Sequence, residues 1–351
     1  MNLKNSYNFN IDIDKDVSVY KLIKWGELSL KSKNISNPFN ESAVIMGYVL
    51  KKPLDGVITS YNIKPAKNHI NLFKRLIIKR SRGEPYAYIV KKKEFYSIPF
   101  FVDKSVLIPR PDTECLVEET LKEIERLQKD LKRKISVIDL GTGSGAIAIS
   151  IAKNSSNVII YAADNSFKSL ETAKKNIIFN GVEDKVILTY FNMLKPDIYW
   201  INETQVQRSS TKVQQSACPA EPVSNTKLFD NAMHDFDIIV SNPPYIKTGE
   251  LKTLDDDVRL YEPLRALDGG QDGLKFYRKI FELAASTENP CSSAPKKRKS
   301  LILEIDYREK SAIKHLYNEK FKDIIFKQIT FINDLNKKDR AVKIVYGQND
   351  N

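Results

Sequence analysis

Sulfur and long apolar runs are both scarce in this 351-residue chain. Its three cysteines, Cys115, Cys218 and Cys291, lie far apart, with no C-x-x-C pair and no histidine beside them. That spacing argues against a zinc site and a disulfide framework and fits a reducing compartment. No apolar stretch approaches the ~18 residues of a membrane span. The opening MNLKNSYNFNIDIDKD lacks the apolar core of a signal peptide. The expectation is a cytoplasmic protein with no metal and no membrane contact. Negative charge is also in deficit, leaving a formal net charge of +12. Such an excess can mark an anionic partner, RNA or a ribosome-associated protein. Because Lys, Asn and Ile are abundant throughout, the charge reads as spread along the chain, which favours compositional drift.

With 42% hydrophobic residues the chain can build a sizeable core. Residues 17 to 82 carry apolar positions at helical spacing, in VSVYKLIKWGELSL and FNESAVIMGYVL, and Pro65 can open a third helix. YIVKKKEFYSIPFFV has the β-branched and aromatic content of two strands with KKK between them, a hairpin spanning 87 to 104. Asp112 and Glu114 then open a helix running to about Lys129, where acids suit the helix dipole. From Ile135 strands and helices alternate. ISVIDL, NVIIYAA, KVILTYF, FDIIV and SLILEI read as strands, with DIIFKQI and RAVKIVY as two more at the end. Alternation of this kind implies an α/β fold with a mainly parallel, seven-stranded sheet. The expected organisation is a helical domain over 1–86, the hairpin, and an α/β domain over 105–351. Two polar stretches without periodicity, 199–235 and 288–300, read as disordered surface insertions. KKRK in the second reads as a solvated loop.

VIDLGTGSGAIAI places Gly141, Gly143 and Gly145 between a strand and a helix, with Thr142 and Ser144 interleaved. Glycines there allow a tight turn and close approach of backbone to a ligand. Asp164 ends the next strand about 20 residues on, where a carboxylate can hold ribose hydroxyls. NAD and S-adenosylmethionine both carry such a ribose. Asp139 tips the choice towards S-adenosylmethionine, since acids occupy that place in the common methyltransferase motif. An adenine partner is expected near Asn192 and Met193, at the end of the third strand.

SNPPYIKTGE follows the buried run FDIIV. Ligands of open α/β sheets bind at the carboxyl ends of strands. An amide or exocyclic amino group has two N–H bonds to place. The Asn242 side-chain oxygen and the Pro243 carbonyl can accept one each. Pro243 and Pro244 would hold both acceptors rigid, and the Tyr245 ring would cover the planar group. Methyl transfer needs little else, because alignment of nitrogen, methyl carbon and sulfur supplies most of the rate.

Asn-Pro-Pro-Tyr after a strand resembles the signature of methyltransferases acting on planar nitrogens. RGEPYAYIVKKKEFYSIPFFVDKSVLIPRPDTE (82 to 114) and YEPLRALDGGQDGLKFYRKI (261 to 280) are similar to segments of the peptide chain release factor N5-glutamine methyltransferases. The resemblance covers about 70–195 and 236–346. It implies a Rossmann-like class I methyltransferase domain using S-adenosylmethionine. It further implies a helical N-terminal domain that docks the release factor, whose GGQ glutamine is the substrate. By position, Gly141 to Gly145 form the cofactor loop, Asp164 holds the ribose, Asn242 accepts the amide, and Pro243, Pro244 and Tyr245 complete the pocket. Arg110 and Glu114 match the family's IPRP-x-TE segment, and Glu262 and Pro263 are expected to brace the substrate loop. A monomer is expected, with nucleic-acid binding not required. The alternative is an N6-adenine or guanine nucleic-acid methyltransferase. Asn192 stands where the family usually has an acid. Glu304, Ile305, Asp306 and Glu309 depart from its Glu-Ile-Gly and following Gln. Gly269-Gly270-Gln271 repeats the substrate triplet inside this chain, which reads as coincidence.

Overall fold

The computed structural model describes residues 17–194, 197–200, 236–286, 298–322, 324, 326–334 and 337–347. They divide into two compact units, 17–92 with 255–261, and 93–254 with 262–347. The division falls at Lys92, a few residues past the expected 86. The short helix Asp256–Tyr261, expected inside the α/β domain, goes with the helical unit.

In the helical unit, α1 (Val19–Lys31), α2 (Pro38–Leu50) and α4 (Lys67–Ser81) surround one core, and a single-turn α3 (Leu54–Ile58) lies between α2 and α4. Ser18 accepts from the Lys21 N–H and starts α1. Leu22, Ile23, Ile45, Met46, Phe73 and Ile77 are fully buried, each contributing about 1.5–3 kcal/mol of transfer free energy. Glu41 and Arg80 form a buried ion pair, Nε to Oε2 2.5 Å. Asp257 lies 3.9 Å from Arg80, and the Tyr261 hydroxyl donates to the Arg82 carbonyl at 3.1 Å, which binds 255–261 into this unit. The positive charge is not spread after all. Residues 17–92 hold fifteen Lys and Arg against four Asp and Glu, and Arg75, Lys79 and Arg82 stand exposed on α4 and at its C-terminus.

The hairpin is shorter than expected. Pro85 opens one helical turn, α5 (Tyr86–Val90), and Lys91 ends it in the left-handed region. The strands are β1 (Lys92–Phe95) and β2 (Ile98–Phe101). The turn is Tyr96–Ser97, both at positive φ, not KKK. Two consecutive left-handed residues match the right-handed twist of a hairpin.

The α/β unit opens with α6 (Glu114–Asp130), preceded by a 3₁₀ turn at Pro111–Thr113. Strands β3 (Ile135–Leu140), β4 (Val158–Asp164), β5 (Val186–Asn192), β7 (Ile238–Ser241) and β8 (Lys299–Glu304) run parallel, in the order β5-β4-β3-β7-β8. The antiparallel pair β10 (Asp339–Gly347) and β9 (Phe326–Asn333) completes the seven anticipated strands. An eighth, β6 (Asp197–Trp200), pairs antiparallel with β5 at the other edge. Helices α7 (Ala146–Asn154), α8 (Phe167–Asn180), α10 (Lys275–Ser286) and α11 (Lys310–Lys320) alternate with the strands, α9 being Asp256–Tyr261. The order reverses between β3 and β7, so the glycine loop after β3 and SNPPY after β7 open on one crevice.

The two expected insertions are each trimmed. Tyr199 and Trp200 belong to β6, and residues 201–235 lie outside the described residues. Lys299 and Ser300 start β8, while 288–297 lie outside the described residues. The expected strand SLILEI thus begins one residue earlier, at Lys299, and its polar start is satisfied at long range. Ser300 Oγ donates to Glu123 Oε1 at 2.5 Å. Among the described residues, no helix is long and apolar enough to cross a membrane.

Candidate active site

The chain turns sharply after β3. Gly141 and Gly143 sit at φ +79° and +57°, a region L side chains rarely adopt, and a Cβ on Gly141 would meet nothing within 4 Å. The loop is pinned from behind. The N–H groups of Gly141 and Thr142 donate to the Ala163 carbonyl at 2.8 and 2.9 Å. Thr142 Oγ1 donates to Asp139 Oδ2 at 2.7 Å. Asp139 is fully buried, and that burial pushes its carboxyl up to about 7. It supports the loop and does not line the cavity in front of it.

Asp164 ends β4 facing the same loop. Its Oδ2 accepts from the Gly143 N–H at 3.0 Å and its Oδ1 from the Ser166 N–H at 2.9 Å. Burial raises its pKa, against the pull of those two N–H groups. Each carboxylate oxygen has two acceptor sites, so the group can hold the loop and still receive a hydroxyl. Asn176 on α8 completes the frame, donating to the Ser144 carbonyl at 2.8 Å and exchanging bonds with the Phe101 backbone.

SNPPY follows β7, the strand beside β3. Ser241 Oγ donates to the Leu140 carbonyl at 2.6 Å, tying the end of β7 to the end of β3. Asn242 Nδ2 donates to Thr113 Oγ1 at 3.2 Å. The corner is backed by the loop 266–273. Ile246 N–H donates to the Leu267 carbonyl, and Gly269 N–H to the Ile246 carbonyl at 2.8 Å. This is where the Gly269-Gly270-Gln271 triplet sits, with Gly269 against the SNPPY backbone and Gln271 exposed.

One cavity is lined by Gly141, Thr142, Gly143, Ser144, Asp164, Met193, Asn242, Pro243 and Pro244. The structure brings these expected residues together. It does not bring Gly145 or Tyr245 to that lining. A Cβ on Gly145 would lie 2.9 Å from Ile149 Cδ1, so this glycine serves packing beneath the loop. The Tyr245 ring packs on the α/β core, and its hydroxyl sits 3.5 Å from Glu304 Oε1. Asn192 is likewise outside the lining and accepts from the Leu194 N–H at 3.0 Å.

Arg110 lines the cavity and pairs with buried Glu262, whose Oε2 also accepts from the Ile108 N–H at 3.3 Å. Glu114 instead accepts from the Tyr96 N–H at 2.8 Å and holds the hairpin turn. Asp306 caps the turn at Tyr307–Glu309; burial works against its ionisation, but Arg308 holds it below the usual carboxylate range. Burial lifts Glu304 to about 7 and Glu309 to about 8. Sequence reasoning passed over Thr113, Arg265, Phe95 and Phe276, all on the cavity wall. Arg265 donates to the Ser105 carbonyl at 2.7 Å. Thr113 and Arg265 lay inside the quoted IPRPDTE and YEPLRAL blocks, which was the available signal.

Comparison with known proteins places these features among relatives. Residues 21–90 match the family described as PrmC N-terminal domain, and 118–208 that described as Ribosomal protein L11 methyltransferase (PrmA). A release factor glutamine methyltransferase from Clostridium acetobutylicum is 35% identical over 261 residues, 74% of this chain and 79% of the relative. Its counterpart from Bacillus cereus is 31% identical over 324 residues, 92% of this chain and 98% of the relative. Among solved structures, the release factor-specific protein-(glutamine-N5) methyltransferase of Alicyclobacillus acidocaldarius is 23% identical. It covers 70% of this chain and 98% of its own, with a TM-score of 0.35, so the weight falls on the sequence relatives.

Proposed function

This chain belongs to the release factor glutamine methyltransferase family, and from that premise we propose how it acts. It transfers a methyl group from S-adenosylmethionine to the side-chain amide nitrogen of the GGQ glutamine of a peptide chain release factor. The observation that carries this reading is the shared cavity, lined by the glycine loop and Asp164 together with Asn242, Pro243 and Pro244.

The residues fit the cofactor. A side chain on Gly141 would stand in open space in front of the loop, where a ligand's backbone contacts belong. Asp164 offers acceptors for ribose hydroxyls, and Met193 an apolar surface for a base. When bound, S-adenosylmethionine supplies a methyl group already activated on a sulfonium. The chain's own work is then orientation. The Asn242 oxygen and the Pro243 carbonyl accept the two amide N–H bonds, drawing electron density back onto nitrogen. The Pro243–Pro244 pair keeps these acceptors rigid, so little reorganisation is left for the reacting complex. The basic helical unit docks the release factor.

The test is labelled S-adenosylmethionine with the purified protein, a release factor and its Gln→Ala variant, read by mass spectrometry. Mass gain on the GGQ glutamine alone is expected. Asn242→Ala should keep cofactor affinity and lower turnover on the order of a hundredfold, as losing one positioned polar group does. Label in nucleic acid and none in the release factor would reject this reading for a nucleic-acid methyltransferase.

A further inference from the structure

We propose that Asn176 is a positioning residue for the cofactor, one that fixes the shape of the glycine loop and the seat of the β1–β2 hairpin together without lining the cavity itself. The proposal rests on the reading of the glycine loop as the S-adenosylmethionine site. Asn176 lies on α8 and is fully buried. Its Oδ1 accepts from the Phe101 N–H at 2.6 Å, while Nδ2 donates to the Phe101 carbonyl at 2.9 Å and to the Ser144 carbonyl at 2.8 Å. One N–H and two carbonyls admit a single orientation of the amide, oxygen to the donor and both hydrogens to the acceptors. Thr172 and Asn180, one helical step before and after, meet the same stretch of chain. Thr172 Oγ1 lies 3.1 Å from Ser105 Oγ, and Asn180 Nδ2 donates to the Pro99 carbonyl at 3.3 Å. Residues spaced in this way share a helix face, so 172, 176 and 180 make one polar seam against 99–105.

The Ser144 carbonyl is where this seam reaches the cofactor site. Gly143 and Gly145 flank Ser144 at φ +57° and +81°. Glycine takes either sign of φ, so a peptide set between glycines turns over at little steric cost. Here both ends of the Ser144–Gly145 peptide are held. The Gly145 N–H donates to the Thr142 carbonyl at 2.9 Å, and the Ser144 carbonyl accepts from Asn176. Thr142, Gly143 and Ser144 all line the cavity. At its other end the same side chain holds Phe101, the last residue of β2. Strand β2 pairs with β1, and β1 ends at Phe95 on the cavity wall. One buried amide thus ties the loop to the hairpin, and a ligand that orders the loop orders the hairpin with it.

The test is calorimetric titration of the full chain with S-adenosylmethionine, at a temperature where circular dichroism shows each variant folded. Asn176→Ala removes all three hydrogen bonds and should weaken binding about tenfold, by the same factor at every pH. Asn176→Asp sets a carboxylate against two carbonyl oxygens. Burial and those oxygens raise its pKa, and once protonated it can donate to one of them. Its Kd relative to the parent should therefore be raised about tenfold or more at about pH 8, and that ratio should shrink severalfold by about pH 5.5. Asp139 and Asp164, the carboxylates bonded to the loop, are common to both proteins, so the ratio cancels them. The second readout is hydrogen exchange at the Tyr96 amide in the hairpin turn, whose acceptor Glu114 the substitutions leave in place. S-adenosylmethionine should slow that exchange in the parent and not in Asn176→Ala. A residue serving stability alone would lower the melting temperature and move neither readout. Kd values within about twofold of the parent overturn the proposal, and so does an Asn176→Asp ratio that ignores pH. Where Asn176→Asp does not fold, Asn176→Ala decides: parental affinity, or cofactor protection at Tyr96 equal to the parent's, overturns it. If the parent binds no S-adenosylmethionine, the reading of the function falls and this inference with it. If the parent binds it and the variants match the parent, this inference alone falls.

Discussion

Gly269→Ala tests whether the corner that carries Asn242 is held to sub-ångström tolerance. Gly269 has no strained φ; what it lacks is room. A Cβ there would lie 2.7 Å from both Cα and C of Tyr245 and 2.8 Å from the Pro244 carbonyl oxygen. All three are backbone atoms, so no side chain can swing aside. Ordinary contact begins at 3.4 Å, so the corner or its backing loop must give way by about 0.7 Å, and a 1 Å misplacement can cost on the order of a hundredfold. We expect kcat to fall roughly ten- to hundredfold. Cofactor affinity should hold, because the atoms the new Cβ would meet belong to Pro244 and Tyr245 and not to the glycine loop or Asp164. The assay pairs steady-state methylation of a release factor with calorimetric titration of S-adenosylmethionine and a melting curve. Gly249→Ala, where a Cβ meets nothing within 4 Å, is the control and should behave as wild type. A Gly269→Ala enzyme with kcat within twofold of wild type would refute the reasoning. So would one whose only defect is in cofactor binding.

Asp164→Ala should weaken S-adenosylmethionine at least tenfold in a binding titration, because the same carboxylate holds the Gly143 and Ser166 N–H groups; unchanged affinity would remove Asp164 from the site. Glu304 should make stability depend on pH. Its folded pKa is lifted by burial from 4.5 to about 7, so between those values the folded state keeps a proton that the unfolded state has lost. The Glu304 contribution to stability must then decline as pH rises from about 4.5 to 7 and level off above. Asp139 and Glu309, lifted by burial to about 7 and about 8, add declines of the same sign, so melting temperatures should fall across that window and Glu304→Gln should make the fall shallower; an identical slope in the variant would count against it. Reversing Arg75 and Lys79 to Glu together should raise the release-factor KM severalfold and weaken its salt dependence, with kcat unchanged, if the basic helical unit docks the substrate. A KM that ignores both the substitution and the salt would move docking elsewhere.

Much of the architecture was legible because its signals are local. Alternating apolar runs announced seven strands, and glycines 141, 143 and 145 with Asp164 announced a ligand loop. The errors also have local causes. KKK was mistaken for the hairpin turn, although Tyr96 and Ser97 carry the left-handed backbone; nothing in those two residue types advertises it. SLILEI was expected to begin a strand at Ser300, and β8 starts one residue earlier, at Lys299, inside the run KKRK that reads as solvated loop. That the Tyr245 hydroxyl sits by Glu304, 59 positions on, is likewise nothing the residues beside it advertise.

Residue order alone determined which backbone segments are rigid, which are buried, and where amide-binding chemistry is spelled out, since periodicity, glycine and proline act within a few residues. Only the folded chain decided which way that chemistry points. Asn242 meets Thr113 across 129 positions, and helix Asp256–Tyr261 leaves the α/β unit for the helical one. Such pairings follow from packing and from the need to satisfy every buried polar group, conditions that close over the whole tertiary structure.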